Sequence, residues 1–420
     1  MTPQRWLRII PVALAMYTIS YVDRTNVSLA LDPTISTMMR DLLMDDRMKG
    51  EAAGIFFLGY VLLQVPGGHW ATRWSPRKII ALLLAGWGAC AIACGLCRSF
   101  RQFEATRFLL GVAESGVFPA TLVLLANWFP RDERARATAC WSLCQPLAVA
   151  ATAPLTGWLL GAYGWRQMLV IEGLLPFLWL PLWWFGIRDH PREAEWISAG
   201  ERDYLETTLQ KEAAELDSPA RGRSWGMLAE GSVWVLTGMY FLQNCAAYGC
   251  MTFFTSILNG KGFGGVQYGI LFAIPYAFTA LFMVLNSRHS DLRRERRGHV
   301  AAVYGLSGLS LVASVGLQGH FWASYTFMCL AIPGPFAAMG PFWAIPSEVL
   351  PRPFVGVVVG LVNAFGNLGG FAGPYIVGWL KQEKQSVGFA FSTLGCGLLT
   401  GAALAFLLPG GSRRKTSAGP

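Results

Sequence analysis

Charge is scarce in this chain. Asp, Glu, Lys and Arg make up 14% of its 420 residues, against roughly 25% in a soluble domain. Histidine is scarcer still: five residues, His69, His190, His289, His299 and His320, lie in or near predicted loops. The sequence carries no Walker loop, no Gly-x-Ser-x-Gly elbow and no His–Glu metal pair. The chain is therefore expected not to be an enzyme and to need no cofactor, and any solute it moves has to draw on ion or solute gradients. The nine cysteines sit within apolar segments or at their ends, a pattern that excludes a disulfide framework. Cys90, Cys94 and Cys97 share one helical face, but their neighbours are Ala and Gly with no His. They read as small apolar residues rather than metal ligands.

Apolar length is what the chain has instead. Its composition is 53% hydrophobic, and stretches of about 20 apolar residues recur throughout, the mark of a polytopic helical membrane protein. A transmembrane barrel shows short alternating segments. The first stretch is too long for a cleaved signal peptide. Run length predicts twelve spans near 6–31, 50–70, 79–97, 102–128, 138–160 and 167–187, then 233–258, 266–286, 300–317, 321–345, 355–380 and 387–408. The expected fold is all-α, with twelve transmembrane helices in two pseudo-symmetric six-helix bundles, 1–187 and 233–420. Between them, 188–232 reads as a solvated linker. Trp196, Tyr204, Leu205 and Leu209 recur at helical spacing there, which leaves an amphipathic surface helix as the alternative.

The net charge of +9 is not spread as nucleic-acid binding requires. Lys and Arg fall mostly in alternate loops: Arg73, Arg77 and Lys78; Arg131, Arg134 and Arg136; Arg288, Arg293, Arg294, Arg296 and Arg297; and Arg413, Arg414 and Lys415 in the tail. The opposite loops hold fewer, such as Arg98, Arg101, Arg166, Lys261, Lys381 and Lys384. The positive-inside rule then places both termini and the central segment in the cytoplasm.

Against this apolar background, two pairs of charges stand out inside predicted spans. Asp23 and Arg24 lie in the first, Arg107 and Glu114 in the fourth. A charge near the bilayer centre costs at least ~2.5–3.5 kcal/mol on insertion scales, so such residues face a polar cavity or one another. Tyr17, Tyr21, Arg24 and Ser28 share one face of a helix, and the Arg24 guanidinium suits a carboxylate. Asp23 points elsewhere, with Ser20 and Asn26 one turn off as hydrogen-bond partners. Glu114 lies ~18 Å into its span at 1.5 Å per residue, near the midplane, where it is a candidate reversible proton carrier. The competing structural readings make Asp23–Arg24 a lock between helices and Arg107 a brace for Glu114. Tyr60, Gln64, Gln145, Asn363 and Asn367 are further polar residues within spans. Among 17 Trp, 26 Phe and 12 Tyr, most belong to interfacial belts, and Trp343, beside Phe342, is the best candidate for a site. Pro66, Pro119, Pro146, Pro154, Pro346 and Pro374 predict broken or bent helices.

Several of these stretches resemble the major facilitator superfamily, and within it the anion:cation symporter family, over nearly the whole chain. The resemblance rests on Tyr21-Val22-Asp23-Arg24-Thr25-Asn26-Val27-Ser28, Gln64-Val65-Pro66-Gly67-Gly68, Arg107-Phe108-Leu109-Leu110-Gly111-Val112-Ala113-Glu114-Ser115-Gly116 and Asn363-Ala364-Phe365-Gly366-Asn367. The stretch from Trp343 to Ser347 looks most like the tartrate- and phthalate-type branch. The resemblance implies that Asp23 and Glu114 are proton-linked, that Arg24 holds the substrate carboxylate, and that Tyr60, Gln145 and Asn363 surround the substrate. It implies that Arg107 partners the acids, with Tyr21, Asn367 and Trp343 in support. Thr72 and Ser75 replace the superfamily's usual Asp and Gly after the second span, whereas Asp291 retains the acid in the second half.

The expected function is import of a small organic carboxylate anion with protons, sodium being the alternative coupling ion, by a monomer in the plasma membrane (the inner membrane of a Gram-negative cell). An anion exchanger or exporter on the same fold is the alternative. A non-transporting anion sensor is the remote one.

Overall fold

The computed structural model describes residues 4–216, 230–258, 262–317, 319–350, 355–384 and 386–409. Lys261, Arg413, Arg414, Lys415 and the rest of the central segment, 217–229, lie outside them. The chain folds into twelve helical runs among the described residues, and no strand occurs there. Run one is α1 (Gln4–Ala30), followed by the short α2 (Met38–Asp41). Runs two to four are α3 (Asp46–Leu62) with α4 (Gln64–Arg73), then α5 (Pro76–Leu96), then α6 (Phe100–Glu114) with α7 (Val117–Trp128). Run five joins α8 (Arg131–Ser142) to the first part of α9 (Cys144–Gly173). Gly164, at φ 78°, turns the chain inside α9, a left-handed conformation that only Gly adopts freely. The remainder of α9 and α10 (Leu175–Gly186) form run six.

The helix α11 (Ala199–Leu216) separates the halves. Runs seven to nine are α12 (Gly231–Phe253) with α13 (Thr255–Leu258), α14 (Gly265–Arg293) and α15 (Arg297–Gly316). Run ten is α16 (Phe321–Ala331), α17 (Pro333–Ala337) and α18 (Met339–Val349); run eleven is α19 (Val355–Asn367) and α20 (Gly369–Lys384); run twelve is α21 (Val387–Leu404).

Proline sets most of the interruptions. The breaks at Leu63, Ser115, Leu143, Ile332 and Ala338 fall three or four residues before Pro66, Pro119, Pro146, Pro335 and Pro341. There the missing N–H and the clash with the preceding turn open the helix. Among the described residues, seven helical stretches are long and apolar enough to cross a membrane, eight if the bent pair α3–α4 counts as one. The runs outside that set are α1, α12 and α19–α20, of which α1, α12 and α19 line the central cavity. Polar side chains such as Tyr21 and Arg24 of α1, Gln243 and Tyr248 of α12 and Asn363 of α19 turn into that cavity.

The halves meet most closely at the end away from the N-terminus. There α9 packs on α14 and α3 on α20. A Cβ on Gly157 would run into the backbone of Gly265, and one on Gly50 into that of Pro374, so glycine is what allows these backbones to approach. Lys381 Nζ pairs with Asp46 Oδ1 at 2.6 Å over the α3–α20 contact.

At the opposite, basic end, α11 docks on protein along one face, while Tyr204 on its other side is exposed. Arg5, 3% exposed along its side chain, bridges Glu133 at 2.7 Å and Glu201 at 2.5 Å. Glu212 accepts from Arg134 at 3.2 Å and from the Arg131 N–H at 2.7 Å. Trp196 stacks on Trp128 at 5.1 Å between centroids, and Leu205 is fully buried. Asp189 accepts from the Ser75 hydroxyl and from the Arg77 N–H at 2.8 Å. An acid from beyond run six thus caps α5. In the second half, Arg296 joins Asp291 at 2.5 Å to Glu348 at 3.1 Å. Charge-assisted hydrogen bonds such as those of Arg5 contribute ~1.5–3 kcal/mol each. Arg5→Ala is therefore expected to destabilise the folded protein by about 2 kcal/mol or more, read as an earlier loss of helical circular dichroism on heating. Unchanged melting would rule out a clamp at this site.

Candidate functional site

A central cavity of about 540 Å³, part of it open to solvent, lies between the halves. From the first half α1 contributes Tyr17, Tyr21 and Arg24, α3 Phe57 and Tyr60, α7 Phe118 and α9 Gln145. From the second, α12 contributes Tyr240, Gln243, Asn244 and Tyr248, α18 Met339 and Trp343, and α19 Asn363 and Asn367. Among the described residues lining the cavity, Arg24 alone is charged.

The sequence-predicted residues separate into two sets. Arg24, Tyr60, Gln145, Asn363, Tyr21, Asn367 and Trp343 line the cavity. Asp23, Glu114 and Arg107 are buried behind it, each at most 4% exposed. Tyr21 and Tyr248 face each other across the halves with hydroxyls 3.4 Å apart. Nearer the basic end, Asn363 Nδ2 donates to Gln64 Oε1 at 2.9 Å and Asn367 donates to the Asn363 carbonyl at 2.8 Å. Trp343 packs edge-on against Tyr240 at 4.9 Å.

Behind the wall, pairing differs from what helical spacing along run four predicts. Glu114 is bonded to Arg24, not braced by Arg107: its Oε2 accepts from Arg24 Nη2 at 3.1 Å and from Ser20 Oγ at 2.7 Å. Arg107 turns to the first run and donates from Nη1 to the Asp23 carbonyl oxygen at 3.1 Å. Asp23 keeps Asn26, whose Nδ2 donates to it at 3.4 Å, but loses Ser20 to Glu114. Seven residues of helix span about 10 Å, which explains why Arg107 reaches a neighbouring helix rather than Glu114. The Arg24 guanidinium is packed among rings, with centroids of Tyr21, Tyr60 and Phe56 at 4.5, 5.0 and 5.1 Å. Rings hold a cation by their quadrupole without neutralising it, so Arg24 can still pair with an incoming anion.

Two features escaped sequence reasoning. The α12 wall has a visible signal: Tyr240, Gln243, Asn244 and Tyr248 fall three, four and eight residues apart on one face of an apolar helix. Gln243 Oε1 accepts from Tyr304 at 2.6 Å, and Asn244 Nδ2 donates to the Gly366 carbonyl at 3.2 Å. The other is Glu172, a carboxyl 3% exposed in α9, five residues into the predicted span 167–187.

The sequence profile of the Major Facilitator Superfamily matches residues 13–374. This chain belongs to the Major Facilitator Superfamily. It is a multi-pass membrane transporter and not an enzyme. Its sequence is 32% identical over 386 residues to a putative tartrate transporter of Agrobacterium vitis, covering 90% of this chain and 88% of that one. It is 30% identical over 417 residues to the quinolone resistance transporter of Acinetobacter baumannii, covering 96% and 93%. The superfamily fold is also seen in the inward open xylose transporter XylE from E. coli, with a TM-score of 0.76, 15% identity and 98% of each chain covered.

Proposed function

We propose that this superfamily member imports a small organic carboxylate anion together with protons, by alternating access of the central cavity to the two membrane faces. One observation carries the proposal: Arg24 lines the cavity while its guanidinium is bonded at 3.1 Å to the fully buried Glu114. Substrate carboxylate and Glu114 compete for that guanidinium. A proton on Glu114 releases Arg24 for the substrate, so proton and anion favour each other's binding, reciprocally as linkage demands. Tyr60, Gln145 and Asn363 present donors for the remaining oxygens, and Asp23 is the second proton carrier. Residues 1–187 and 233–420 rock as two bundles around the site, which is the usual form of alternating access for repeated bundles. Both termini and the central segment face the cytoplasm of a monomer in the plasma membrane. The likeness to a putative tartrate transporter supports an anion of that size and charge.

The decisive measurement is uptake of labelled tartrate, and of a panel of other carboxylates, into proteoliposomes under an imposed pH gradient, with a sodium gradient as control. Uptake driven by acid outside and lost in Glu114→Gln is expected. Uptake indifferent to the gradient, or to Glu114→Gln, would rule the proton coupling out. A second reading, export of an aromatic anion, draws on the cavity's Tyr, Phe and Trp walls and on the likeness to a quinolone resistance transporter. Protons and solute moving in opposite directions during net flux would select it.

A further inference from the structure

Glu172 has no part in the cycle above, yet it is a carboxyl 3% exposed among membrane helices. One of its oxygens, Oε1, accepts from Thr156 Oγ1 at 2.6 Å across the turn at Gly164. Its other oxygen, Oε2, has no hydrogen-bond partner among the described residues. Asn26 of α1 stands against it. Asn26 is fully buried, donates from Nδ2 to Asp23 Oδ1 at 3.4 Å, and leaves its own Oδ1 without a partner. Glu172 Oε2 and Asn26 Oδ1 are thus two buried acceptors without a hydrogen-bond partner among the described residues. An unmet acceptor in the interior carries its full desolvation penalty.

The nearby guanidiniums are engaged elsewhere. Arg24 pairs with Glu114, and Arg107 donates to the Asp23 carbonyl. The other titratable groups that face this interior are Asp23 on α1, Glu114 on α6, and the thiols of Cys90 and Cys94 on α5. None supplies Glu172 with a cation, and a buried carboxylate without one takes up a proton instead. A proton on Glu172 removes the bare charge from this interior.

We propose that Glu172 is a third proton-binding carboxyl of this transporter, and that Glu172 and Asp23 hold at least one proton between them through Asn26. Two carboxyls so linked titrate as a unit, and like charges in one site do not both ionise. When Asp23 exchanges its proton during a cycle, Glu172 keeps the bundle interior from holding two bare carboxylates. The proposal rests on the proton-coupled import reading for its role, though not for its chemistry.

The test uses the purified full chain in detergent, without substrate, and reads the infrared C=O band of protonated carboxyls as pH is raised. Wild type is expected to show such a band at neutral pH, and Glu172→Gln to lose it. Asp23→Asn is expected to change the pH at which the Glu172 band disappears. A spectrum unaltered by Glu172→Gln overturns the proposal. If that variant does not fold, Asn26→Leu carries the test: a displaced Glu172 band supports the link, and an unmoved one overturns it. The two readings fail separately. A Glu172 band in a protein whose uptake ignores the pH gradient overturns proton-coupled import alone, and gradient-driven uptake without the band overturns the Glu172 assignment alone.

Discussion

Arg24→Gln is expected to reduce carboxylate uptake roughly a hundredfold or more, as loss of one side of a buried charge pair costs about 2–5 kcal/mol of binding. The same substitution strands Glu114, which is fully buried with Ser20 as its remaining partner. An uncompensated buried charge destabilises by about 3–5 kcal/mol, a penalty that a proton on Glu114 relieves. Arg24→Gln alone should therefore melt earlier at high pH than at low pH relative to wild type. Arg24→Gln combined with Glu114→Gln should recover the stability and not the transport. Arg24→Lys keeps the charge but loses the planar fork and its contact with the Tyr21, Phe56 and Tyr60 rings, so it should weaken uptake in proportion to lost geometry rather than lost charge. The combination separates binding from folding: transport recovered by the double variant would mean that Arg24 serves only to neutralise Glu114.

The cavity was legible in the sequence because membrane burial makes polarity conspicuous. Tyr21, Arg24, Tyr60, Gln145, Asn363 and Trp343 stand out in apolar runs for that reason, and they come together in one lining. Pro66, Pro119 and Pro146 likewise foretold breaks, whereas Pro154, Pro346 and Pro374 lie inside helices and the breaks before Pro335 and Pro341 were not foreseen. Partner choice was not legible. Helical spacing says which residues share a face, but Glu114 found Arg24 at a sequence separation of 90, and Ser20 at 94. Which neighbouring helix lies within reach is set by packing alone. The docking of α11 was hidden for the same reason, since Arg5 meets Glu201 at a separation of 196. Glu172 was missed because Met168, Leu169, Leu175 and Pro176, one turn away on its own helix, are apolar and give it no partner, and only the turn at Gly164, which folds run six back on run five, brings it to Thr156.

Gly157→Leu should lock the transporter open toward the end away from its N-terminus, losing net transport while retaining carboxylate binding. At that end, two devices join the halves, and their magnitudes differ. The Lys381–Asp46 pair is 23% and 30% exposed along its side chains, and partly solvated pairs contribute about 0–1 kcal/mol. Lys381→Ala is expected to leave uptake within a few-fold of wild type. The α9–α14 contact is backbone on backbone: a Cβ at Gly157 already meets the Gly265 main chain, and one at Gly269 meets that of Ala153. Overpacking costs about 1–3 kcal/mol for small additions, whereas moving a two-state equilibrium from 99:1 to 1:99 takes about 5.5 kcal/mol. Gly157→Ala should therefore slow uptake partially. Gly157→Leu, with no rotamer that avoids α14, should exclude the closed state. The added side chain has room once the halves part, so the variant should fold and still bind a carboxylate in a thermal-shift assay. Uptake by Gly157→Leu at the wild-type rate would show that α9 and α14 need not approach this closely in any step of the cycle.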